Sequence, residues 1–132
     1  MVRYLIIFCL LIYSCRISQK FIKIPKNSYL NAFGNEPGWN LKINPDKSIT
    51  WVNNYGQDTI ILDAGKEEYL YSKYKVKQVS TERMYFAEQD ITIDLRHEKC
   101  NDDMTGKAFE KSIILIHEGK TYRGCANFEE YK

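Results

Sequence analysis

Trp39-Asn40-Leu41-Lys42-Ile43-Asn44-Pro45-Asp46-Lys47-Ser48-Ile49-Thr50-Trp51 alternates apolar and polar residues on both sides of a four-residue turn. Trp39, Leu41 and Ile43 fall on one face of a strand. Ile49 and Trp51 resume that face after Asn44-Pro45-Asp46-Lys47 reverses the chain. Period-two burial broken by turn chemistry predicts a hairpin with one packed side. The same pattern continues downstream. Asn53-Asn54-Tyr55-Gly56 predicts a turn before a strand at 59–62, and Asp63-Ala64-Gly65-Lys66 predicts the next turn. Residues 67–79 carry Tyr69, Tyr71, Tyr74, Val76 and Val79, which favour a strand. The 70, 74 spacing leaves a helix open for 67–73. Thr81-Glu82-Arg83 reads as an interruption before a strand at 84–87, and Ile91, Ile93 and Leu95 alternate as another strand. Residues 112–117 and 121–125 form a last hairpin around Glu118-Gly119-Lys120. The expected class is all-β, a small antiparallel β-barrel or sandwich.

Upstream of residue 31 the chain changes character. Met1-Val2-Arg3 is a short positive start, and residues 4–13 form an unbroken apolar run ending at Ser14-Cys15. That run is half of the ~20 residues needed to span a bilayer, which predicts a secretory leader. Leu11-Ile12-Tyr13-Ser14-Cys15 resembles the lipobox of bacterial lipoproteins, where a small residue precedes the cysteine that is cleaved and lipidated. Residues 1–14 are therefore expected to be a signal peptide and Cys15 the lipidation site. Plain secretion and an uncleaved anchor are the competing readings. Residues 15–30 read as a lipidated start and basic tether, and 31–132 as a single β domain. Arg16, Lys20, Lys23 and Lys26 suit an anionic lipid surface at about 1 kcal/mol each, or serve only as a solvated spacer. Phe21, Ile22 and Ile24 keep open a first strand docked on the domain.

The rest of the composition narrows function mainly by exclusion. Without its leader the 132-residue chain keeps 118 residues, enough for one domain. The net charge of +2 falls by one when Arg3 leaves. A nearly neutral chain lacks the basic face of a nucleic-acid binder. Cys9 lies in the leader and Cys15 is committed to lipid, which leaves Cys100 and Cys125 to pair as a disulfide in an oxidising compartment. A two-cysteine metal site is the weaker option, with no paired histidines nearby.

Two segments resemble a family of small uncharacterised bacterial envelope lipoproteins. Phe33-Gly34-Asn35-Glu36-Pro37-Gly38-Trp39-Asn40-Leu41 is similar to its Gly-Asn-Glu-Pro-aromatic-Trp opening. Cys100-Asn101-Asp102-Asp103-Met104-Thr105-Gly106-Lys107-Ala108-Phe109, followed by Gly124-Cys125, is similar to its closing signature. Gly38 departs from that pattern, standing where an aromatic residue is usual. Such domains occur beside META-type and lysozyme-inhibitor-like domains, so the resemblance implies a β-rich envelope module and carries no activity. Physically, Asn35-Glu36-Pro37-Gly38 is turn material, and Trp39 plants a large apolar side chain at a strand start. Glu36 either pins the loop through a backbone N–H or contacts a ligand. Asp103-Met104-Thr105-Gly106 is a turn whose Asp or Thr can bond local backbone. Glu36, Trp39, Asp103 and Thr105 are the candidate ligand-binding residues.

Catalytic chemistry finds little to work with. His97 and His117 are the only neutral-pH bases. Extended geometry separates His97 from Cys100 by about 10 Å, and His97-Glu98 lacks the second histidine of a zincin helix. Asp90, Asp94, Asp102 and Asp103 lack the spacing of a calcium loop. No Gly-Xaa-Ser-Xaa-Gly elbow or phosphate loop is written in the chain. The expectation is a non-enzymatic binding module without cofactor or metal, lipid-anchored in the bacterial cell envelope at the periplasmic face of the outer membrane. Its partner would be an envelope protein, a glycan or a small ligand, with lysozyme inhibition as one version. The alternative is a structural or stress-related envelope protein acting through protein partners.

Overall fold

The computed structural model describes residues 20–35 and 38–132. Glu36, Cys15 and the expected signal peptide at residues 1–14 lie outside the described residues. Eleven strands follow in order: β1 (Ser28–Asn35), β2 (Gly38–Ile43), β3 (Ser48–Asn53), β4 (Asp58–Asp63), β5 (Leu70–Val76), β6 (Val79–Phe86), β7 (Ile91–Arg96), β8 (Cys100–Asn101), β9 (Ala108–Phe109), β10 (Lys111–His117) and β11 (Lys120–Glu130). Nine of them form one antiparallel sheet in the order β4-β3-β2-β1-β11-β10-β7-β6-β5, curled into a half-barrel. β8 and β9 make a separate two-stranded ribbon.

The order is a meander that runs outward from both chain ends. β1 pairs β11, with Ser28 opposite Glu130 and Phe33 opposite Cys125. Consecutive strands then add on either side until β4 and β5 become the two edges. Hydrogen bonding is therefore interrupted between the two strands that the 64–69 connection joins. That connection is itself packed, with Ala64 and Tyr69 both buried.

Period-two alternation decides which side chains fill the concave face. Leu30, Ala32, Trp39, Leu41, Ile43, Ile49, Trp51, Leu62, Met84, Phe86, Ile91, Ile93, Leu95, Ile113 and Leu115 form one buried cluster. The predicted hairpin at 39–51 is present, with Leu41 opposite Trp51 and Ile43 opposite Ile49. Its turn is secured by Asp46, whose Oδ1 accepts from the Ser48 amide at 3.0 Å and the Ser48 hydroxyl at 2.6 Å. Those bonds hold the Asp46 carboxyl below its ordinary value.

Two local expectations are corrected and one open choice is settled. Thr81-Glu82-Arg83 does not interrupt a strand but lies inside β6, while the reversal falls at Lys77-Gln78. Both turn residues adopt positive φ, 48° and 70°, as a two-residue hairpin turn requires. Residues 70–76 are strand rather than helix, paired from Leu70–Tyr85 to Val76–Val79. Residues 20–30 are not a free tether. Ile22 is 2% exposed inside the core cluster, Phe21 and Ile24 pack against it, and β1 already begins at Ser28. The Tyr69 hydroxyl donates to the Lys20 carbonyl oxygen at 2.9 Å, and the Phe21 ring meets Tyr69 edge-on at 6.2 Å. The segment docks because three large apolar side chains within four residues gain more by burial than a solvated spacer would.

Candidate functional site

After Arg96 the chain leaves the sheet, crosses its convex face and returns at Lys111 as β10. This excursion is held in two ways. Cys100 and Cys125 form a disulfide with Cα atoms 5.4 Å apart, tying β8 to the outward side of β11. Phe109 is buried against Phe33, the rings edge-to-face at 5.0 Å. Cys125 and Phe33 are register partners, so bridge and ring contact fall on the same convex patch.

The tip between β8 and β9, residues 102–107, is organised around Asp102, which is only 7% exposed. Its carboxylate accepts from Asn35 Nδ2 at 2.6 Å, Thr105 Oγ1 at 2.6 Å and the Met104 amide at 3.3 Å. Its backbone closes the loop as well: the Asp102 amide donates to Lys107 O at 2.9 Å, and the Gly106 amide donates to Asp102 O at 2.7 Å. Gly106 takes φ +71°, a conformation that glycine alone adopts without penalty. The Thr105 hydroxyl leads the forces holding Asp102 below the ordinary carboxylate range. Asn35 and the local amides add to it, and burial opposes it.

The candidate residues separate on this frame. Trp39 is 5% exposed, and its ring lies over Gly34 and Gly124, where any Cβ would collide with it. Trp39 therefore fills the core and welds β2 to β1 and β11. Thr105 is exposed at the tip, and its hydroxyl is spent on Asp102. Asp103 is exposed and borders a groove of about 520 Å³ between tip and sheet, beside Phe33, Arg96, Glu98 and Arg123. The organising residue is Asp102 and not the candidate ligand-binding residue Asp103. Two adjacent aspartates look alike in sequence, and only burial distinguishes them. Gly38, the departure from the opening signature, has the Tyr55 ring against it, 2.8 Å from where a Cβ would sit.

A second concavity, about 600 Å³, opens at the end of the half-barrel between the β3–β4 and β10–β11 turns. Trp51, Tyr122 and His117 wall it, with the Trp51 ring edge-to-face to both, at 5.0 Å and 5.4 Å. The Trp51 indole N–H and Asn53 Oδ1 are buried without a hydrogen-bond partner.

Two other buried side-chain atoms, Glu67 Oε2 and Gln89 Oε1, also lack a partner, whereas Glu82, Arg83 and Asp94 are paired. Glu82 accepts from the Tyr71 hydroxyl at 2.7 Å and lies 2.9 Å from His97 Nε2. Burial first, and then the Glu82 bond, push the Tyr71 phenol up to about 12. Arg83 bonds Asp94 in bidentate fashion at 2.7 and 2.6 Å. Cys100 is committed to the disulfide, so its sulfur is no thiolate nucleophile for His97. Among the described residues no group of three or more His, Cys, Asp or Glu is arranged to hold a metal ion.

Fold and site together define a disulfide-clamped antiparallel β domain with a preorganised tip. Against protein-family models, curated proteins and solved structures, the chain matches none.

Proposed function

We propose that the chain is a non-enzymatic binding module of the bacterial cell envelope, held to a membrane through lipid on Cys15. The surface it presents to an envelope protein is the 102–107 tip. The carrying observation is how that tip is held: a disulfide at its base, a buried carboxylate at its centre and four hydrogen bonds to the Asp102 carboxylate and carbonyl. A loop fixed before the encounter loses little conformational freedom on binding. Met104 stands beside Asp103 and Thr105 with 76% of its surface exposed. Its flexible, polarisable thioether suits an apolar socket on a partner. The leader, the lipobox resemblance and the two envelope-lipoprotein motifs supply the location. Inhibition of a secreted lysozyme is the most concrete version of this reading.

A photo-crosslinking residue at position 104 of the full-length protein, in intact envelopes, tests the proposal. Position 131, at the opposite end of the β1–β11 pair, is the control. A single protein captured from 104 and not from 131 is the expected result. Equal capture from both positions, or none from 104, overturns it. Undiminished lysozyme activity at micromolar domain removes the inhibitor version alone. Cys15→Ala releases the protein from membranes if the anchor is lipid; unchanged retention sinks the anchor.

A further inference from the structure

We infer that the open end of the half-barrel is a binding site for an N-acetylated amino sugar, recognised through its acetamido group by Trp51 and Asn53. Trp51 is 2% exposed, its indole N–H has no partner, and Asn53 Oδ1 is likewise buried and unpaired. Buried polar atoms are almost always satisfied, so an unmet donor and an unmet acceptor lining one cavity call for something that enters. Trp51 and Asn53 stand two residues apart on β3, so both project to the same side of the strand, about 7 Å apart along it. A secondary amide offers the complement on adjacent atoms: a carbonyl for the indole N–H and an N–H for the Asn53 oxygen.

The surroundings favour a sugar as the bearer of that amide. Asn53 is already oriented, because its Nδ2 donates to the Tyr122 hydroxyl at 3.2 Å. His117 Nδ1 is taken up at 3.1 Å by the Asp90 carbonyl, which fixes the imidazole against Trp51. Tyr122, His117 and Ile60 supply apolar wall for an acetyl methyl and for pyranose C–H groups. Gln57, Asp58 and Glu118 at the rim supply acceptors for hydroxyls. Asp58 and Glu118 outnumber Lys120 in the lining, which disfavours an anionic ligand. A volume of about 600 Å³ accommodates a mono- or disaccharide.

The test uses the full-length protein, ¹⁵N-labelled in detergent, titrated with N-acetylglucosamine. Two tryptophans give two indole N–H signals, and Trp51→Phe assigns them. The Trp51 signal should move and saturate while the Trp39 signal stays, and glucose, which lacks the acetamido group, should move neither. Trp51→Phe deletes the N–H but also shrinks a core side chain, so an unchanged Trp39 indole signal must accompany its loss of the sugar. Asn53→Leu, at a half-buried position, tests the site with the core intact and should weaken binding roughly tenfold or more. An immobile Trp51 signal, an equal response to glucose, or a response only to a capped alanine dipeptide overturns the inference. So does a Trp51 indole that exchanges magnetisation with a bound water and ignores the sugar.

Discussion

Asn35 Nδ2 donates to Asp102 Oδ1 at 2.6 Å, joining the end of β1 to the start of the tip across 67 positions of sequence. One residue belongs to the opening motif and the other to the closing motif. Trp39 makes the same connection through the core, because its ring occupies the space left by Gly34 and Gly124. The two motifs are therefore one three-dimensional unit. Gly-Asn and Trp from one side meet Asp and Gly-Cys from the other, and together they seat the excursion on the sheet.

Gly124→Ala tests the tightest contact in that unit. The added Cβ would collide with the Phe33 carbonyl oxygen and lie 2.7 Å from Trp39 Cζ2. Backbone on one side and a buried indole on the other leave it nowhere to relax. We expect a loss of about 3 kcal/mol, at the upper end for overpacking, read from the urea midpoint. A midpoint equal to wild type would show that β1 and β11 are looser than described.

Asp102 gives the tip a pH dependence of definite sign. Its folded pKa lies below the free aspartate value of ~3.9. Its contribution is therefore complete above that value and is lost as pH falls through the lower, folded one. Titration of the Asn35 side-chain amide signals by NMR should show a midpoint below ~3.9, absent in Asp102→Asn. A midpoint at or above the free value contradicts the network.

The Cys100–Cys125 bridge closes 25 residues of chain. The chain-entropy relation assigns such a loop about 3.5 kcal/mol. Cys100→Ser/Cys125→Ser should lose roughly that amount and show its fastest new amide exchange within 97–110. Uniform loosening of the sheet, with the excursion still protected, would mean that the bridge is not what clamps the tip.

Ile22 tests the docking of residues 20–24. Its side chain is fully enclosed, so Ile22→Ala should cost about 2–5 kcal/mol in a denaturant titration, as core truncations do. Tyr69→Phe removes the hydroxyl bonded to the Lys20 carbonyl and should cost about 1 kcal/mol. Neutral outcomes for both would restore the picture of a free tether.

Much of the sheet was legible because alternation and turn chemistry are local properties. The 38–53 hairpin and the 111–130 hairpin each carry Asn, Pro, Asp or Gly where the chain reverses. Lys77-Gln78 carries none of these. The strand pairing on either side holds both residues at positive φ, so the turn has no compositional mark. Thr81-Glu82-Arg83 looked like a break because polar residues cluster there. Inside β6 they alternate across the sheet, with Glu82 held by Tyr71 and His97 and Arg83 held by Asp94, partners that sequence proximity does not reveal.

By itself the sequence determined the all-β class, the positions of most strands and the pair of cysteines left to bridge. Each follows from side-chain period, turn propensity or elimination. The tertiary structure alone decided that β1 joins β11, that Asp102 rather than Asp103 is the buried centre of the tip, and that Trp51, a core residue like Trp39, also lines the concavity at the end of the half-barrel. Those outcomes depend on which residues distant in sequence come into contact. Burial and hydrogen-bond satisfaction are properties of that packing, not of residue type.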